Sequence, residues 1–167
     1  VERKQVLTTS ALVKIGKNCS IDPTATIQGP TFIGNNVSIG AGAVVGNCTI
    51  GDNVTIDQGC QLMLSVVGNG SFLPFRAALY RSVLMENCVL AQNSCLQMTV
   101  VGRGSFIGAG NTFTDFNLVD RPVRSYFKGT LQDTGMTALG GAVGHNVRIG
   151  SGMVIFPARM IDSDAVP

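Results

Sequence analysis

The chain has 167 residues, enough for one domain with a sizeable core, and it is 45% hydrophobic but only 13% charged. Soluble domains average roughly 25% charged residues, so this surface must be covered by neutral polar groups or by partner chains. A net charge of +2 with no Lys/Arg-rich run gives no reason to expect nucleic-acid or membrane binding.

No apolar run approaches the roughly 18 residues of a membrane-spanning helix, and the opening VERKQVLTTS does not read as a signal peptide. The chain starts at Val1, as a fragment or a cleaved product would. Cys19, Cys48, Cys60, Cys88 and Cys95 are odd in number and form no CxxC pair, which speaks against a disulfide framework or a zinc site. Four of them fall where a small buried residue is wanted, so they read as reduced core thiols of a cytoplasmic protein.

From the N-terminus onward the chain steps in sixes. Ile15, Ile21, Ile27, Ile33, Ile39 and Val45 are each six residues apart, and Cys19, Ala25, Thr31, Val37 and Ala43 follow the first five at four residues. A second register runs through Ile50, Ile56 and Leu62, after a step of five that marks a shortened corner. Six residues are three strand pleats, so the repeating side chain always faces the same way. Three short strands joined by tight turns close a coil of about eighteen residues, and stacked coils form parallel sheets around an Ile/Val interior. Gly or Asn after the apolar residue serves the corner, where positive φ or close backbone approach is needed. The pattern is a shape code, so function is sought where it breaks.

The first expected break is FLPFRAALYRSVLMEN, about 72–87. Phe72, Phe75, Arg76, Tyr80 and Arg81 there would either line a ligand groove or pack an expanded corner on a neighbour. The steps return at Leu84, Leu90, Leu96, then Val101, Ile107 and Phe113. A larger break follows, an arm over about 114–141, before Val143, Ile149, Ile155 and Ile161 resume the period. Within the arm, VRSYFKGTLQDTG reads as a hairpin with Lys128-Gly129 at its turn. The arm holds Asp115, Asp120, Asp133, Arg121, Arg124 and Lys128. Its basic residues could hold a phosphate, or the arm could clasp a neighbouring subunit. GAG at 108–110 and GSG at 150–152 are repeat corners rather than phosphate loops, since no strand-to-helix transition is available.

The residue types resemble the left-handed β-helix of the hexapeptide-repeat superfamily, which implies the handedness. More specifically, SFIGAGNTFTDFN, the spacing of Arg121 and Arg124, KGTLQDTG and ALGGAVGHNVRIGSGMVIFPARMI resemble the C-terminal β-helix of sugar-1-phosphate nucleotidyltransferases, above all the bifunctional nucleotidyltransferase/acetyltransferases. The fold expected is an all-β left-handed parallel β-helix with a protruding hairpin arm after Phe113. The chain is expected to be one domain over 1–167, a fragment of a longer nucleotidyltransferase-like protein whose GxGTR-type nucleotide loop does not occur here.

The resemblance implies a homotrimer and an acetyl-CoA-dependent site built from His, Tyr, Asn and lysines. Carried over by spacing, the His falls near Gln92 and the Tyr near Cys95. The Asn falls at Asp115, with Asn117 close by, and the lysines at Arg121 and Arg124. A basic triplet after DTG becomes Met136-Thr137-Ala138, and a later Pro-Gly becomes Pro157-Ala158. Loss of a general base typically costs about 10²–10⁴ in rate. His145 is the only His in the chain and so the only imidazole available as a base.

Three readings follow. In the first, the chain is an oligomerising and binding domain that has lost acyl transfer. In the second, it is an acyltransferase that moves acetyl from acetyl-CoA to an amino-sugar phosphate or nucleotide sugar. Arg121, Arg124 and Lys128 then bind phosphates, Asp115 or Asn117 orients the amine, and His145 is the base. The third, a metal enzyme of the γ-carbonic anhydrase kind, has too few His for the ligand set.

Overall fold

A computed structural model describes residues 12–119 and 121–167, so the readings made on VERKQVLTTS and on Asp120 lie outside the described residues. The chain is a left-handed parallel β-helix whose three faces are sheets of eight, seven and seven strands, with a separate two-stranded hairpin. Each strand pairs with strands of the coils before and after it. The interior residues therefore stack in register, as in Ile15↔Ile33, Ile33↔Ile50 and Val67↔Leu84. Ile50, Ile56, Leu62, Leu73, Leu79, Leu84, Leu90, Leu96, Val101 and Ile107 are fully buried and fill the prism.

The stretch expected as an irregular insert over 72–87 is regular. Its strands Phe72–Leu73, Ala78–Tyr80 and Val83–Leu84 pair in register above and below. Val67, Leu73 and Leu79 continue the interior columns without a gap. Aromatic and basic side chains replace the usual small residues only at outward positions, and this hides the period. The first coil takes eighteen residues and the next takes seventeen. The residue is lost at the third corner, which turns on single residues: Asn47, Leu64, Arg81 and Met98, all at positive φ.

At the first corner, Asn18, Asn36, Asn53, Asn87 and Asn146 take the left-handed conformation that Asn tolerates. The glycine before that turn is needed for another reason. A Cβ at Gly68 would sit 2.6 Å from the Glu86 nitrogen of the next coil. Close approach, rather than positive φ, selects glycine there.

Small interior residues satisfy the corners. The Cys48 N–H donates to Thr31 Oγ1 (3.3 Å), Ser82 N–H to Ser65 Oγ (3.1 Å) and Thr99 N–H to Ser82 Oγ (3.1 Å). Cys19, Cys48, Cys60 and Cys88 occupy such inward positions, while Cys95 faces outward on the third face. No helix among the described residues is long and apolar enough to cross a membrane.

Candidate functional site

The arm leaves the third corner after Phe113, and the solenoid resumes at Ala142–Val143, which pairs with Val100–Val101 forty-two residues earlier. Its root is fastened on both sides. Thr114 N–H donates to the Ile155 carbonyl (3.0 Å), and Ala158 N–H donates to Leu139 and Gly140 carbonyls (3.1 and 3.2 Å). Val123 is buried, and its carbonyl accepts from Thr134 N–H (3.1 Å) and Thr134 Oγ1 (2.7 Å). Beyond this anchor, Arg124–Phe127 and Thr130–Asp133 form an antiparallel hairpin, with Phe127 opposite Thr130. Lys128 (φ 48) and Gly129 (φ 79) make the two-residue turn read from the sequence.

Two hollows flank the root. One, of about 300 Å³, lies between the arm and the last coil. The arm contributes Asn117, Leu118, Arg121 and Arg124, and the coil contributes Phe156 and Arg159. Asn117 Nδ2 donates to the carbonyls of Arg121 (3.0 Å) and Pro122 (3.1 Å), which sets the bend that brings Arg121 to the rim. Arg124 donates to the Leu131 carbonyl across the hairpin (3.2 Å). No acid is among the described residues of this wall. Among the described residues the only ion pair is Arg103 with Glu86, elsewhere on the solenoid.

The other hollow, of about 270 Å³, lies along the third corner between Tyr80, Arg81, Gln97, Met98 and Asp115. Tyr80 hydroxyl donates to Gln61 Oε1 (2.6 Å). Burial raises the Tyr80 pKa, and a thiolate at Cys95 would raise it further. The Cys95 thiol is itself pushed up by burial and then by the Asp115 carboxylate.

Of the residues expected in a site, Asn117, Arg121 and Arg124 meet in the first hollow, and Asp115 lies in the second. Lys128 sits at the exposed hairpin tip over the Phe127 ring (5.3 Å) and lines neither hollow. His145 is on the first corner, a different edge of the prism from the arm. Its Nδ1 accepts the Arg103 N–H (2.9 Å), and its own N–H donates to Ser163 Oγ (2.9 Å). The same ladder runs through Asn35, Asp52 and Asn69, whose side-chain oxygens each accept the N–H of the residue one coil earlier. His145 thus does in one chain what an Asn does in the coils above.

Gln92 and Cys95, where the resemblance placed the His and Tyr, lie on the second corner and on the third face. Arg81 and Tyr80, read from the sequence as groove candidates, line the second hollow, whereas Arg159 was missed. Arg159 follows the corner residue Ala158 in MVIFPARM, four residues after Ile155, where the repeat elsewhere puts a small residue; a guanidinium at that place was the available signal.

The fold and its arm define a hexapeptide-repeat left-handed β-helix domain. The GMPPB C-terminal domain family matches residues 9–77, upstream of the segment 105–161 that carried the resemblance. The chain is 33% identical over 69 residues to the "Bifunctional protein GlmU" of Synechococcus elongatus, covering 41% of this chain and 15% of that protein. It is 44% identical over 55 residues to the Geotalea uraniireducens protein of the same name, covering 33% and 12%. The matched stretches are thus a small part of those relatives. A crystal structure from Desulfovibrio desulfuricans G20, solved as a candidate acetyltransferase, aligns over 89% of this chain and 24% of that one, at 16% identity and a TM-score of 0.50. Over its first coils this solenoid is thus similar to the C-terminal β-helix of nucleotidyltransferase-related proteins.

Proposed function

We propose that this β-helix holds copies of a nucleotidyltransferase-like protein together, three per assembly, and has lost acyl transfer. The observation that carries the reading is one outward column of the eight-stranded face. Phe32, Thr49, Val66, Val83, Val100, Ala142 and Met160 stack in register, with Lys14 alone at the end. Phe32, Val66, Val100 and Met160 are 40–61% exposed. At about 4.8 Å per strand the column runs for roughly 29 Å without a charge, a surface that copies of a soluble chain would cover. Free thiols suit a reducing, cytoplasmic setting.

The test is light scattering of the chain beside a Val66→Glu/Val100→Glu variant. The expected result is a trimer that the variant converts to folded monomer. A parent chain that is already a clean monomer would sink the reading.

The arginines of the first hollow support a second reading, an acetyl-CoA-dependent acyltransferase acting on an amino-sugar phosphate or nucleotide sugar. Arg121 and Arg124, with Lys128 if the tip folds inward, would then bind phosphates. Asp115 or Asn117 would orient the amine. His145, held on another edge, could act as base only from a neighbouring copy. Unchanged acyl transfer in His145→Ala would remove that assignment.

A further inference from the structure

We propose that the hollow between the arm and the last coil is a diphosphate site, and that filling it clasps the arm to the solenoid. It stands apart from the assembly reading. It would supply the anion-binding end of the acyl-transfer reading but does not require acyl transfer.

The argument rests on where the three guanidinium groups come from. Arg121 and Arg124 belong to the arm, whereas Arg159 belongs to the last coil and is set outward by the Ala158 corner (φ 55). All three are exposed and line one hollow of about 300 Å³, so their like charges face one another across the gap. An orthophosphate presents only one tetrahedral group to share between two walls. A diphosphate presents two linked tetrahedra and about three negative charges, and guanidinium forks bind such oxygens in pairs. Leu118 and the 55% exposed Phe156 add an apolar wall beside the charges, where the base of a nucleotide could lie.

The link between walls is otherwise slight. Beyond the root, the hairpin strands reach the solenoid through Ser125 Oγ donating to the Ala158 carbonyl at 3.4 Å. An anion held by Arg159 on one side and by Arg121 and Arg124 on the other would bridge them and remove the repulsion that favours separation.

The experiment is calorimetry of the full chain with inorganic diphosphate, orthophosphate, ADP and adenosine, alongside hydrogen exchange over 121–136. Diphosphate should bind once per chain, and about tenfold or more tighter than orthophosphate. Arg159→Ala and Arg159→Gln should each weaken it by about tenfold or more, the expected loss of a charge-assisted contact. Arg148→Ala, on a different face, should leave it within about threefold. Exchange over the hairpin should slow with diphosphate in the parent chain and not in Arg159→Gln.

Tighter binding of ADP than of inorganic diphosphate assigns the site to a nucleotide-borne group. The reverse assigns it to the free ion. Diphosphate binding no tighter than orthophosphate, or undiminished in both folded Arg159 variants, overturns the proposal. A monomeric chain that binds diphosphate would defeat the assembly reading and leave this one standing.

Discussion

Leu64 offers a direct test of how the third corner is held. It turns the chain at φ 53, the position Asn47 takes in the coil before (φ 53), and Arg81 and Met98 repeat it at φ 50 and 48. For a residue with a Cβ the left-handed region costs roughly 1–2 kcal/mol, while Asn enters it at much less cost. Leu64 is 54% exposed, so truncation forfeits a little under half of its burial, about 1 kcal/mol. Leu64→Asn should therefore be neutral or slightly stabilising. Leu64→Ala loses the same burial and keeps the strain. The difference between the two variants isolates the backbone and should be about 1 kcal/mol in favour of Asn, or about 2–4 °C in melting temperature for a chain of this size. Thermal melts followed by circular dichroism, at one protein concentration, would read it. A Leu64→Asn melting temperature no higher than that of Leu64→Ala would refute the claim that this corner is strained.

Other outcomes follow from the core and its ladders. Leu79→Ala, at a fully buried position in the middle of the third face, should cost about 2–5 kcal/mol by denaturant titration, and a loss under about 1 kcal/mol would mean the coils close over the cavity. His145→Asn should keep the melting temperature because an Asn oxygen can accept the Arg103 N–H, whereas His145→Ala should lose about 0.5–1.5 kcal/mol; equal losses would refute the ladder role. Burial lifts the Cys60 thiol from 9.0 to about 11. The unfolded chain therefore releases this proton first, so stability is full below pH 9 and falls as pH rises towards 11. Cys60→Ala should flatten that fall in denaturation midpoints measured from pH 8 to 11, and an unchanged slope would exclude Cys60 as its source.

The six-residue step was legible because it is local. An Ile or Val every third pleat must face one way whatever lies around it, and this determined the coil, the interior columns, the inward thiols and the point after Phe113 where the coil stops. The Lys128-Gly129 turn was legible for the same reason, since a hairpin is set by its own few residues. Between Val67 and Leu79 the columns were intact but masked, because outward Phe72, Phe75 and Arg76 replaced the small residues that usually advertise the repeat.

What the sequence alone could not settle was which residues share an edge. His145 and the arm are close along the chain, yet a three-faced coil separates them onto different corners. Arg159 is thirty-five residues beyond Arg124 and lines the same hollow, because the last coil turns back under the root of the arm. Stacking sets those neighbours, and stacking is a property of whole coils laid on one another rather than of any six residues.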